Sequence, residues 1–206
     1  MESEIPKQFL PVAGIPVIMH SINAFLKYEP GIDVVVAIAE TLFQYWQELC
    51  IKFDFRKEHR LSKGGKTRFH TVKNALALIR DDRIVAIHDA VRPLVSQQTI
   101  DQGFRDALTF GNAIPAIPVS ESVRWSEGRK NQLIDREHLR IVQTPQVFEA
   151  GLIKRAYQRV GKDVFKDDAS VLEAMGETIH LFEGNRENFK ITYPYEILIA
   201  ETLLKG

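Results

Sequence analysis

The chain has 206 residues, 45% apolar and 26% charged, which suits one sizeable folded core and excludes a disordered chain. Lysine plus arginine equals aspartate plus glutamate at 27 each, so no global field selects nucleic acid or an anionic membrane. The single Cys50 excludes an internal disulfide, and no apolar run reaches a membrane span; a cytoplasmic protein is expected.

In chain order, "IPVIMHSINAFLKY" (15–28) reads as a helix. "VVVAIA" (34–39) is a continuous apolar run, as in a strand covered on both faces. Leu42, Tyr45, Trp46, Leu49 and Phe53 then recur at helical spacing. A turn at "KGGKTR" leads to a second amphipathic helix, "FHTVKNALALIR", and "RIVAIHDA" (83–90) reads as a buried strand ending in polar residues. Ser96 is placed as the N-cap of the next helix, and "NAIPAIPV" returns to strand. This alternation predicts a parallel sheet with helices on both faces.

The rhythm breaks over residues 120–140, where two short alternating segments flank a Glu-Gly-Arg-Lys-Asn turn. That pattern predicts a protruding hairpin. Such an arm cannot bury both faces on its own domain, so a second subunit is its natural cover. Afterwards come "LRIVQTPQVFEAGLIKRAYQRV", "FKDDASVLEAMG", a strand-like "TIHLFEG" and a closing helix.

Several stretches carry polar groups in suggestive places, each with a plain structural alternative. "GGKT" lacks the upstream glycine of a phosphate loop, since position 60 is Arg60; it is a structural turn or a ligand edge, with Thr67 able to cap the following helix. "IHDAVRP" puts His88, Asp89 and Arg92 at a strand's carboxyl end, where open α/β sheets bind ligands. Asp89 suits magnesium and Arg92 suits a phosphate, unless the two simply pair around a turn. Asp135 and Arg136 fit a solvated charge run. Asp167 and Asp168 fit a helix start with no chemistry. Lys190 by itself fits a surface charge.

Taken in order, Pro6-Lys7-Gln8, "GGKTRFHTV", "HDAVRP", "DR" before "TPQVF", "DDAS" and "EGNRENFKIT.P" resemble the 2-C-methyl-D-erythritol 4-phosphate cytidylyltransferase family. The resemblance runs from Pro6 almost to the carboxyl end. It implies a Rossmann-like, three-layer α/β nucleotidyltransferase fold, one domain over 1–206 with a dimerising β-arm at about 120–140. It also implies a homodimeric enzyme of isoprenoid precursor synthesis that transfers CMP from CTP to methylerythritol phosphate, with magnesium.

Carried over by residue, the resemblance implies Lys7, Asp89 and Lys190 as catalytic, with Lys7 on the α-phosphate and Asp89 close to magnesium and the acceptor phosphate. Gly65 and Thr71 would line the cytosine pocket, and Ala90 and Arg92 the nucleotide side. Ser122 and Arg136 would reach a partner's site from the arm, Arg136 clamping the acceptor phosphate. Thr144, Lys166 and Lys190 would surround the acceptor. Lys66 stands where some relatives carry an acidic residue, and Lys166 where a threonine is usual.

In the family a strand and a glycine-rich turn ending in Arg-Met precede Pro-Lys-Gln, and Met1 aligns with that methionine. The expectation is that these 206 residues alone transfer CMP far more slowly than a chain extended upstream through the arginine. Two rival readings are a ribitol-5-phosphate cytidylyltransferase and a non-catalytic nucleotide-binding dimer.

Overall fold

The computed structural model describes residues 5–160 and 164–205; Met1, on which the reading of the amino end rests, lies outside them. After a single 3₁₀ turn at Lys7–Phe9, strands β1 (Pro11–Val12) and β2 (Ile15–Pro16) form a small antiparallel ladder. Gly14 makes its turn at φ 91, a region open to glycine because it has no Cβ. Helix α1 (Val17–Tyr28) follows, close to the predicted span.

Strand β3 (Val35–Ile38), helix α2 (Phe43–Lys52) and strand β4 (Arg60–Lys63) form a parallel crossover unit, with Val35 opposite Arg60 and Ile38 opposite Lys63. Helix α3 (Arg68–Leu76), strand β5 (Ile84–Ile87), helix α4 (Gln97–Phe110) and strand β6 (Asn112–Pro118) come next. Helix α4 begins at its predicted cap, Ser96, whose side chain accepts from Thr99 N, and ends at Gly111 in the left-handed conformation.

The hairpin strands β7 (Val123–Glu127) and β8 (Lys130–Ile134) pair antiparallel through a tight turn at Gly128, as the alternation predicted. Trp125 and Leu133 on this arm are exposed. The chain then continues through β9 (Arg140–Val142), β10 (Gln146–Glu149), α5 (Ala150–Arg159), α6 (Asp168–Glu173), β11 (Leu181–Glu183) and α7 (Pro194–Lys205).

Among the described residues the main sheet runs β11-β6-β10-β5, with β9 also on β6. The expected all-parallel order is corrected here. Strand β11 is parallel to β6, whereas β10 is antiparallel to both β5 and β6. The cause is the route: β10 is entered from the arm and β9, without the crossover helix that a parallel connection needs.

Helices cover both faces as expected. On one, Phe69 and Leu76 of α3, Ile153 and Tyr157 of α5 and Leu172 of α6 pack with Ile114 and Phe148, against Val85 and Ile87. On the other, Phe25 of α1 and Ile100 and Ala107 of α4 pack toward Ala86, Ala113 and Val147. Successive strand residues thus divide between two apolar layers, giving three layers in all. The β3–β4 ladder has its own core of Ile18, Met19, Ile22, Val36, Ile38, Trp46 and Leu49.

Candidate active site

Strand β5 ends at Ile87, and the next residues leave the sheet with their polar groups at its carboxyl edge. Asp89 lies there, 16% exposed, and three cations converge on its carboxylate. Lys190 Nζ is at 3.1 Å, Arg92 Nε at 3.5 Å and Arg68 Nε at 3.7 Å. Burial alone would raise the Asp89 pKa, but Lys190, Arg68 and Arg92 outweigh it and hold the carboxyl below its ordinary value. The structural alternative, an Asp89–Arg92 pair, is therefore present, and it sits inside a larger cationic cluster.

Neighbouring segments lock this edge in place. Thr144 Oγ1 accepts from Asp89 N at 3.0 Å and meets His88 Nδ1 at 3.1 Å. His88 Nε2 meets the Arg92 carbonyl at 3.0 Å. A carbonyl only accepts, so Nε2 carries the proton and Nδ1 accepts from the Thr144 hydroxyl. Asn188, fully buried, donates from its side-chain amide to Thr144 O at 2.8 Å, while its backbone carbonyl accepts from Arg92 Nη1 at 2.7 Å. Ile191 N donates to Val91 O at 2.9 Å, which holds Lys190 beside Asp89. Lys7 Nζ donates to Thr192 O at 2.9 Å, so the 3₁₀ turn reaches the same strip of chain. Ala90 presents its carbonyl to Ser21 Oγ of α1 at 3.1 Å.

Burial pushes the His88 pKa from 6.5 down to about 4. The unfolded chain therefore binds a proton near pH 6.5 that the folded chain refuses until about pH 4. Stability is complete above pH 6.5 and falls as pH drops toward 4, by on the order of 3 kcal/mol. Urea midpoints measured across pH 7 to 4 check this. His88→Gln, which has no ionisable proton, flattens that part of the curve.

The glycine turn follows β4. Gly64 N donates to Ile38 O at 2.7 Å, and Gly65 N donates to Thr71 Oγ1 at 2.9 Å. A Cβ on Gly65 would stand 2.2 Å from His70 Cβ and 2.8 Å from the His70 carbonyl carbon, so only glycine lets this turn close on α3. Thr67 caps α3, as its position suggested. Gly65 and Thr71 thus meet, with the Thr71 hydroxyl also donating to Thr67 O at 3.0 Å.

Asp89, Ala90, Arg92, Thr144 and Lys190 gather at the β5 edge. Lys7 reaches Thr192, two residues past Lys190, and Gly65 and Thr71 meet at the start of α3, the helix that sends Arg68 toward Asp89. Three predicted residues are not drawn in. Ser122 and Arg136 are exposed at the arm, Arg136 donating to Ser120 O. Lys166 is exposed on the loop before α6. Residue-by-residue reading missed Arg68, Asp168 and Asn188. The "DDAS" stretch marks Asp168 only as part of a helix start; its full burial, which makes it need a cation, shows only in the fold.

The carboxyl edge of an α/β sheet is a ligand-binding position, and here it carries a cluster of cations around one carboxylate that suits a phosphate-bearing ligand. The fold and the family that the chain matches define a nucleotidyltransferase. The model of the 2-C-methyl-D-erythritol 4-phosphate cytidylyltransferase family matches residues 1–206, and the chain belongs to that family. A relative of that name from Bacteroides fragilis is 45% identical over 204 residues, covering 99% of this chain and 93% of the relative. One from Geobacillus kaustophilus is 33% identical over 207 residues, covering 99% and 91%. The crystal structure of the Thermus thermophilus enzyme superimposes with a TM-score of 0.81 at 29% identity, covering 98% of this chain and 94% of that one. A crystal structure of 4-diphosphocytidyl-2C-methyl-D-erythritol synthase gives 0.83 at 28% identity, covering 97% and 95%. The activity of the family is CTP-dependent cytidylyl transfer to methylerythritol phosphate in isoprenoid synthesis.

Proposed function

We propose that the β5 edge is where CMP passes from CTP to 2-C-methyl-D-erythritol 4-phosphate. An acceptor phosphate oxygen forms a bond to the α-phosphorus, the bond to the β-phosphate oxygen breaks, and pyrophosphate leaves with the electron pair. Catalysis is positioning and charge neutralisation, so no covalent nucleophile is needed. The observation that carries the reading is the convergence of Lys190, Arg92 and Arg68 on Asp89 at a sheet's carboxyl edge.

In this reading Lys7 holds the α-phosphate, and Arg92 with the Ala90 backbone serves the nucleotide side. Gly65 and Thr71 border the base, Thr71 exchanging its bond to the Thr67 carbonyl for one to the ligand. Thr144 and Lys190 border the acceptor, and Lys166, exposed on the loop before α6, would reach toward it. A lone carboxylate suits a magnesium ion carried mostly by triphosphate oxygens and water; among the described residues no three acidic, thiol or imidazole groups form a protein cage. Asp89 would hold that ion, which when bound draws charge away from the phosphates.

The exposed arm supports a homodimer in which Ser122 and Arg136 enter the partner's site. Among the described residues no helix is long and apolar enough to cross a membrane, and the one cysteine is a free thiol; both suit the cytoplasm.

Pyrophosphate release is measured with CTP and either methylerythritol phosphate or ribitol 5-phosphate. The expected result is transfer to methylerythritol phosphate. A preference for ribitol 5-phosphate overturns the acceptor, and CTP binding without turnover overturns the enzyme.

A further inference from the structure

Arg68 opens α3, one residue past its cap, and the assignments above give it no ligand of its own. Its guanidinium faces two other segments. Nη1 and Nη2 donate to the two oxygens of Asp168 at 2.9 and 2.6 Å, while Nε lies 3.7 Å from Asp89 Oδ1. Asp168 is 0% exposed and also accepts from Tyr157 Oη at 2.5 Å. Burial and then Asp168 push the Tyr157 pKa up, so this group stays a phenol and a donor.

The segment that Arg68 grips is the start of α6. Gln146 Oε1 accepts from Asp168 N and Ala169 N, both at 2.9 Å, and Gln146 Nε2 donates to Asp167 Oδ2 at 3.0 Å. Asp167 caps the helix through Ser170 N. Lys166 immediately precedes this anchored turn. The sheet thus fixes α6 from below through Gln146, and the glycine turn fixes it from the side through Arg68.

A buried ion pair is weak evidence for stability, since an apolar pair of equal volume often serves as well. What an apolar pair cannot supply is a rigid fork with a further donor aimed at another carboxylate. We propose that Arg68 is a positioning residue that ties the Gly64–Gly65 turn and the Lys166 loop to Asp89. The groups serving the nucleotide and those serving the acceptor thereby keep one spacing. The inference rests on the assignment of those two loops under the proposed function.

Arg68→Lys keeps one charge and loses the parallel fork; Asp168→Asn keeps the shape and weakens the same fork. Tyr157→Phe removes one bond to Asp168 and leaves the fork intact. Either fork variant is expected to raise the acceptor KM and lower kcat by about tenfold each. The CTP KM moves less, because Gly64 and Gly65 keep their own bonds to Ile38 and Thr71. Tyr157→Phe lowers the Tm and leaves all three constants in place.

Amide hydrogen exchange reads the strut without turnover. The fork variants are expected to speed exchange in both residues 64–71 and residues 166–173, and Tyr157→Phe only in the second. Fork variants that lower the Tm as Tyr157→Phe does, leave both KM values unchanged and loosen only α6 would overturn the proposal. A parent protein that transfers to neither acceptor counts against the proposed function, while the exchange pattern still decides the strut.

Discussion

Asp89→Asn is expected to slow pyrophosphate release by about a thousandfold, the scale on which a preorganised electrostatic contact acts. The amide has nearly the shape of the carboxylate, so the edge of β5 persists. The charge on which Lys190, Arg92 and Arg68 converge does not. Arg92 Nε, buried and without a hydrogen bond, has Asp89 as its nearby counter-charge. Removing the anion makes the site more positive, and the affinity for inorganic pyrophosphate should hold or rise. A coupled pyrophosphate assay and calorimetry with pyrophosphate in the absence of divalent metal separate the two effects. Equal losses of turnover and of anion binding would show that Asp89 only maintains the fold.

Trp46→Ala is expected to cost about 3–5 kcal/mol, the range for truncating a large buried aromatic. Trp46 is 0% exposed at the centre of the β3–β4 core. Its ring stacks on Phe9 at 6.0 Å, and Nε1 donates to His59 Nε2 at 2.8 Å. His59 Nδ1 faces the Lys57 carbonyl at 2.7 Å, which fixes the tautomer that can accept from the indole. Phe9 stands two residues after Lys7, and His59 enters β4, which runs into Gly64. The loss should therefore reach the nucleotide side although Trp46 touches no ligand position. Urea unfolding followed by circular dichroism gives the stability change. Trp46→Phe, which keeps most of the packing and forfeits the hydrogen bond, should cost only about 1 kcal/mol.

Elements whose cause lies within a few residues were legible in the sequence. Ser96, Thr67 and Asp167 each cap the helix they precede, and the tight turn at Gly128 closes the arm where alternation placed it. The carboxyl end of "IVAI" delivered Asp89 and Arg92 to the sheet edge for the same reason: a strand's end is a local fact. Strand β4 was not visible, because "RLSK" has no apolar run and becomes a strand only by pairing with β3. The direction of β10 was also hidden, since nothing inside "QVFE" records the route by which the chain arrives. By its spacing alone Lys190 fits a surface charge, and only the resemblance marks it; the loop bond from Ile191 to Val91 sets it on Asp89. The Arg68–Asp168 pair spans 100 residues, a separation at which a single sequence carries no signal for a contact.

On the proposal that a second copy covers the arm, the protein would depend on its own abundance. A lone two-stranded hairpin is marginally stable in water, and this one leaves Trp125 and Leu133 exposed. If a second copy is its cover, the hairpin is ordered only as far as subunits meet, and Arg136 travels with it. Activity per molecule would then decline on dilution below the dissociation constant of the pair. A cell making little of the enzyme would lose flux out of proportion to the protein it had withheld.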